Sequence, residues 1–230
     1  MTNAEEMFAN PYWYSLLTEH AGIAIGSGPA RRFPLDVIPF AGLSALDTAS
    51  MTALCELLAP GELIYVTGEK LASVEGLEKT IDLPGWQMHI EAPMPEPQSD
   101  HAPVIRELHE ADSPAMVGLT DVAFPGYFRR RTYILGRYFG IEVDGQLIAM
   151  AGERLALPGY REISAVCTHP AHTGKGYAAV LIRHFMRVHA EAGLRSFLHV
   201  AQTNERAIAL YERLGYTKTR PIYFHGFRRA

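Results

Sequence analysis

Gly174 and Gly176 stand one residue apart in the run Thr173-Gly174-Lys175-Gly176-Tyr177-Ala178, between an apolar, strand-like stretch and a helix-like one. A loop of this kind at a helix N-terminus turns backbone N–H groups outward and adds the positive end of the helix dipole, which suits a phosphorylated ligand. Glycine removes side chains that would hold a diphosphate away, and it reaches backbone angles closed to other residues. Just before the loop, Cys167-Thr168-His169-Pro170-Ala171-His172 offers three residues of metal-ligating type. Three ligands packed this tightly around a proline leave little freedom for a tetrahedron, and no second Cys/His cluster has matching spacing. No metal is expected.

The elements that must position these residues follow from periodicity. Glu162 to Thr168 is read as a buried strand. From Lys175, the residues Ala178, Leu181, Ile182, Phe185, Val188 and Ala192 recur at helical spacing, with Arg183, Arg187 and Glu191 on other faces. Gly193 suits the end of that helix. Ser196 to Val200 is a short interior strand. Asn204 stands at an N-cap with Glu205 in the first turn, and Ala207, Ile208, Tyr211 and Leu214 form a second apolar stripe closed by Gly215. Strand, loop, helix, strand, helix, strand: the alternation predicts an α/β domain with a partly parallel sheet.

The chain has 230 residues, 48% of them hydrophobic, enough for one full core or two small ones. Pro93, Pro95 and Pro97 interrupt Glu91 to Asp100, which is read as a linker at about 91–102. It divides the chain into 1–95, a smaller α/β domain, and 96–230. The first part is expected to hold a helix from Met51 to Leu58, a strand from Leu63 to Thr67, and a core around Trp13, Tyr14, Phe33 and Phe40. Cys55 and Cys167 provide no disulfide framework. No apolar run reaches bilayer length and no secretory pattern opens the chain, so a cytoplasmic protein is expected. A net charge of −4 argues against broad nucleic-acid binding.

Two motifs give the chain a family resemblance. Thr173-Gly174-Lys175-Gly176-Tyr177-Ala178, and then Asn204, Ala207 and Leu210 to Tyr216, resemble the cofactor motif and the second signature of the GNAT superfamily of acetyl-CoA-dependent N-acetyltransferases. Thr173 departs from the usual Gln or Arg; with its backbone N–H unaffected, weaker side-chain help with phosphate is expected. Upstream, Val104 to Leu108 with Asp112-Ser113-Pro114 is similar to the family's first strand and first helix, Asp112 as cap and Pro114 in the opening turn. Phe139 to Val143 and Gln146 to Glu153 flank an Asp144-Gly145 hairpin turn. The wording around Leu147 to Arg154 and Glu162 to Pro170 is most similar to the FR47-like branch. The implied fold is a mixed, partly parallel central sheet flanked by helices, complete between Val104 and Arg228, beside an N-terminal part that by fold-level analogy is a degenerate half-copy.

The resemblance also implies roles. The strand amides around Val166, Cys167 and Thr168, the loop from Thr173 through Gly174, Lys175, Gly176 and Tyr177 to Ala178, and Asn204 would bind acetyl-CoA. Lys175 and Arg206 are candidates for its phosphates. The Val166 N–H is the candidate oxyanion donor; one such donor in a dry site is worth about 3 to 4 kcal/mol. Tyr211 is the candidate general acid, its phenol protonated at neutral pH; its ordinary reading is a rib of the apolar stripe. Glu162 is the candidate general base, directly or through water, with Glu153 as runner-up; its ordinary reading is a carboxylate paired with Arg161 or Arg154. Arg129-Arg130-Arg131 with Arg137 is read first as a solvated face and second as an anchor for an acidic acceptor or a CoA phosphate. The acceptor is a primary amine of a small molecule or amino acid, expected between Ala123 and Tyr138 and between Ile222 and Phe227. Neither nucleic acid nor membrane is an expected partner, and a homodimer is left open. Two alternatives stand beside transfer of acetyl: a silent acyl-CoA sensor, and transfer of a larger acyl group as in glycine N-acyltransferase-like relatives.

Overall fold

Eight strands share one sheet in the computed structural model, which describes residues 3–90 and 103–230. In chain order the first elements are α1 (Ala4–Ala9), α2 (Pro11–Leu17), β1 (Ala30–Arg32), β2 (Ala41–Leu43), α3 (Thr48–Glu56), β3 (Leu63–Thr67) and β4 (Leu77–His89). Next come β5 (Ile105–Leu108), α4 (Ser113–Ala123), β6 (Tyr138–Val143), β7 (Gln146–Leu157) and β8 (Tyr160–Thr168). The last are α5 (Tyr177–Glu191), β9 (Arg195–Ala201), α6 (Glu205–Arg213) and β10 (Thr217–Arg229). β1 and β2 pair with each other, and the rest are ordered β3-β10-β4-β9-β8-β7-β6-β5. Among the described strand pairs only β8–β9 is parallel, the return stroke of a strand–helix–strand unit through α5.

A boundary at residue 95 does not divide this sheet. β3 and β4 both pair with β10, and β4 pairs with β9 as well, so the first ninety residues supply one edge strand and one interior strand of the eight-stranded sheet. The linker expected at about 91–102 lies outside the described residues. β4 escapes a sequence reading because Pro84-Gly85 looks like a turn. Here β9 ends opposite Gly85 at Ala201, so Pro84 lies just past the last β9 partner, where no neighbouring strand needs an N–H. Its carbonyl still accepts a bond from the Gln202 amide at 2.9 Å.

Local signals set most other boundaries. α3 begins ahead of Met51 because Asp47 caps it, its Oδ1 accepting from the Ser50 amide at 2.8 Å. α5 starts at Tyr177 rather than Lys175 because Gly176 is left-handed, φ +80°. The β6–β7 hairpin turns through Asp144 (φ +51°) and Gly145 (φ +77°), the left-handed pair of a type I′ turn. Asp112 precedes α4 but its side chain does not cap that helix; it accepts from the His109 amide and from Arg106 instead. Tyr138 and Phe139, adjacent on β6, point to opposite faces. Tyr138 packs with Met116 and Leu119 of α4, and Phe139 with Phe185 of α5. A further apolar cluster seats α1 and α2 with Phe33 and Phe40 against Leu155, Phe197 and Phe224. Among the described residues no helix is long and apolar enough to cross a membrane.

Candidate active site

Strands β8 and β9 pair only through Tyr160, Arg161 and Glu162 with Arg195, Ser196 and Phe197. Beyond Glu162 they carry no mutual register, although β8 runs on to Thr168 and β9 to Ala201, so the sheet opens as a wedge. A bulge shapes one lip. Met150 pairs with Cys167 but Gly152 pairs with Ser164, which inserts one extra β8 residue between them, and Ala165 takes φ +51°. A left-handed alanine is strained, and a bulge takes backbone groups out of the ladder. Val166 follows directly and has no partner on β7 in the pairing register.

At the mouth of the wedge the loop turns twice through left-handed glycine, Gly174 at φ +81° and Gly176 at φ +80°. Space outside both is open, with no heavy atom within 4 Å of an added Cβ. The glycines therefore serve backbone conformation and access, not packing. Thr173 has both its side chain and its amide engaged within the protein. Its hydroxyl (3.1 Å) and its N–H (3.4 Å) both point at the Pro170 carbonyl, so this residue closes the turn that precedes the loop.

Wedge and loop open into a cavity of about 820 Å³. Val166, Cys167, Thr168, the whole run Thr173 to Ala178, Asn204 and Tyr211 all line it, so residues chosen from the sequence for one ligand converge on one space. Asn204 caps α6 with its Oδ1 accepting from the Ala207 amide at 3.1 Å, which leaves its Nδ2 for the cavity. Tyr211 is half-buried. Burial raises its phenol to about 12, with the charge of Glu162 adding to the effect, so the hydroxyl keeps its proton at neutral pH. Burial pushes the Cys167 thiol up to about 12, against a weaker opposing backbone bond from Met150, which leaves it a poor nucleophile.

Glu162 sits elsewhere. It does not line the cavity; it is fully buried at the apex of the wedge. Arg154 Nε donates to its Oε2 at 3.0 Å, Arg154 Nη2 donates to its Oε1, and His199 Nδ1 lies 2.8 Å from Oε1. Burial alone would raise this carboxyl, but the charge of Arg154 and then of His199, with their hydrogen bonds, outweighs it and brings the group to about 2. A carboxylate so acidic and so enclosed is not placed to take a proton from an acceptor. The pairing with Arg154, the ordinary reading, is the one observed, and Glu162 orients Arg154 and His199, which do line the cavity. Glu153 is also engaged, its Oε1 2.8 Å from His189 Nε2 and its Oε2 accepting from the Arg137 amide at 3.0 Å. It borders a separate, smaller cavity.

His199 and Gln87 are missed from the sequence, and Arg154 is named there only as a partner of Glu162, not as a cavity residue. Gln87 Nε2 lies 3.0 Å from His199 Nε2 and donates to the Phe8 carbonyl at 3.1 Å; its Oε1 is 3.2 Å from His89 Nε2. The chain Arg154–Glu162–His199–Gln87–His89 thus links β7, β8, β9 and β4. A signal was present: Glu153-Arg154 interrupts an otherwise apolar strand, and His199 does the same in β9. Arg131 pairs with Asp36 and Arg137 with Glu107 as half-exposed ion pairs, the solvated arrangement. No group of three His, Cys, Asp or Glu side chains is disposed around a metal position among the described residues. His169 Nδ1 is engaged by the Ala171 amide at 3.2 Å.

The cavity also gathers side chains from far apart in the chain. Ala123, Phe124, Tyr127, Phe128, Thr132 and Tyr138 come from α4 and the segment after it, and Phe224 from β10. Ile38, Phe40, Tyr65, Ile81 and Leu83 come from the first ninety residues. No Asp or Glu is among the described lining residues; its charged groups are Arg154, Lys175, Arg206 and Arg213.

The FR47-like protein family model matches residues 138–225, the span from β6 into β10 that contains wedge, loop and α6. A solved GNAT-family structure from Novosphingobium aromaticivorans DSM 12444 is 31% identical with a TM-score of 0.89, over 97% of this chain and 98% of that one. A GCN5-related N-acetyltransferase from Kribbella flavida is 15% identical with a TM-score of 0.61, over 93% and 95% of the two chains. A GCN5-related N-acetyltransferase-like protein from Streptococcus suis 89/1591 is 14% identical with a TM-score of 0.57, over 88% and 85%. The last two are alike in fold. Among curated proteins none matches. The full-length likeness at 31% identity and the splayed, glycine-gated wedge lead to the same conclusion: this chain belongs to the GNAT family of acetyltransferases.

Proposed function

We propose that the protein transfers an acetyl group from acetyl-CoA directly to the primary amine of a small molecule or amino acid. The observation that carries this reading is the parting of β8 from β9 after Glu162, with bulged amides on one lip and the Gly174–Gly176 loop at the mouth. Acetyl-CoA supplies a thioester whose acyl carbon is open to attack by an amine. The N-terminal amides of α5 and the two open glycines suit its diphosphate, and Lys175, Arg206 and Arg213 add positive charge along the same wall. The unpaired side of β8 from Val166 to Thr168 suits the amides of the pantetheine arm, with Asn204 Nδ2 as a further donor.

Within that arrangement the free amine attacks the thioester carbon and Val166 N–H stabilises the oxyanion. The C–S bond then breaks as Tyr211 gives its proton to the departing thiolate, and the phenolate takes back the surplus proton of the acylated nitrogen. The phenol holds that proton until a strong base forms beside it. None of the described residues on the cavity wall is a carboxylate that could deprotonate the acceptor. Apolar walls and the nearby Arg154 guanidinium both disfavour an ammonium, so the amine enters as the free base after losing its proton to solvent.

The test is thermal unfolding with acetyl-CoA, with free CoA and with zinc. Acetyl-CoA at a hundred times its dissociation constant stabilises by about 2.7 kcal/mol, roughly 5 to 10 °C for a chain of this size. A shift of that order, followed by thiol release in an amine panel, supports the reading. No shift at saturating acetyl-CoA sinks it.

A further inference from the structure

We infer that the deep end of the cavity is a subsite for an amine that also carries a carboxylate on an apolar or aromatic body, with Arg154 as the carboxylate's partner. This rests on the transfer reading above and narrows its acceptor.

The guanidinium has one side engaged and one side open. Nε and Nη2 donate to Glu162, whereas Nη1 makes no hydrogen bond to the described protein and is not among its buried, unpartnered polar atoms. The Arg154 side chain retains 18% exposure and Glu162 none, and it is Arg154 that lines the cavity. The pair therefore presents its positive half to the ligand and hides its negative half. Position is firmly set. Arg154 lies in a second bulge, where β7 takes three steps from Glu153 to Ala156 while β8 takes two from Ile163 to Arg161. Phe40 and Tyr12 hold the guanidinium carbon at 5.3 and 5.7 Å from their ring centres. A donor so fixed is suited to a planar anion.

The rest of the chamber excludes other amines. Its walls here are Ile38, Phe40, Tyr65, Ile81, Leu83 and Phe224, apolar but for the Tyr65 hydroxyl, which suit an apolar or aromatic body better than a polyhydroxylated one. With no acid among the described lining residues, a second ammonium on the acceptor finds no counter-charge and meets Arg154 instead. A long acyl chain would fill the same walls, but it offers Nη1 nothing. An apolar amino acid satisfies both features.

The experiment uses the full-length wild-type chain with acetyl-CoA and matched acceptors: phenylalanine and leucine, their carboxamides, and the corresponding amines without a carboxyl group. Rates are referred to the free-amine fraction of each. In parallel, binding of N-acetylphenylalanine and its amide is measured with CoA present and absent. The carboxylate should be preferred at least tenfold in kcat/KM and in product affinity. Arg154→Lys, which keeps the charge opposite Glu162, should raise KM for the carboxylate acceptor at least tenfold more than it raises that for the amide. Equal treatment of acid and amide, or no binding of either product, overturns the subsite even where acetyl-CoA stabilises the fold. So does a donor series in which benzoyl- or octanoyl-CoA outperforms acetyl-CoA with glycine. Carboxylate-selective binding in a protein that acetyl-CoA does not stabilise would keep the subsite and sink the transfer reading.

Discussion

Arg154 and Glu162 face each other across β7 and β8 at the last residue before the sheet parts, Nε donating to Oε2 at 3.0 Å with the carboxylate fully buried. Nothing but Arg154 and His199 compensates that charge among the described residues. Glu162→Gln leaves the guanidinium without its counter-charge. Breaking a buried pair on one side costs about 3 to 5 kcal/mol. The melting temperature should fall by about 10 °C at neutral pH, and a change below 2 °C would show that the pair is not structural.

Tyr211 lines the cavity, its phenol raised to about 12 by burial and then by the charge of Glu162. Tyr211→Phe keeps the ring packed against Tyr216 and removes only the hydroxyl. Turnover should fall by roughly 10²-fold, the low end for a positioned acid, while acetyl-CoA affinity changes by less than twofold. Unchanged turnover would remove Tyr211 from the chemistry.

Gly176 initiates α5 in the left-handed region, φ +80°, with open space where a side chain would go. Gly176→Ala therefore costs about 1 to 2 kcal/mol through backbone strain alone. It also places a methyl group where a diphosphate is expected. Acetyl-CoA affinity measured calorimetrically should drop at least tenfold with the melting temperature lowered only a few degrees. Equal affinity would count against the loop as phosphate site.

Acid should destabilise the fold in two steps. Burial lowers His89 from 6.5 to about 4, so its neutral form is the stabilising one: full stability is present above pH 6.5 and is lost as pH falls toward 4. Glu162 lies below its ordinary 4.5, at about 2, so its contribution is present above pH 4.5 and disappears as pH falls through 2. Urea titrations between pH 7 and 3 should show stability falling throughout. His89→Gln should flatten the upper part, from 6.5 to 4, and an unaltered slope in that variant would assign the loss elsewhere.

An amine that enters as free base sets its own pH dependence. Log kcat/KM should rise with unit slope and level off at the pKa of the free acceptor, so two acceptors differing by one unit in pKa should shift the break by about one unit. A break at the same pH for both would place an enzyme base in the mechanism.

The sequence by itself determined the parts whose causes are local. Left-handed glycines at 174 and 176 start α5, Asn204 caps α6, and Asp144-Gly145 turns the β6–β7 hairpin, each through contacts within a few residues. That was enough to pick out residues, Tyr211 among them, that line one cavity, for which we propose a phosphorylated ligand. Only the tertiary structure decided what Glu162 does, because its partners lie 8 and 37 residues away and both strands are bulged or splayed where they meet it. The same holds for β4, whose Pro84 is tolerated only because β9 stops one residue short of it. The acceptor end needed the whole fold: Phe40, Tyr65, Leu83, Tyr127 and Phe224 carry no shared motif. They meet because β3 and β4 enter the sheet beside β10, and long-range pairing of that kind leaves no periodicity in the chain to read.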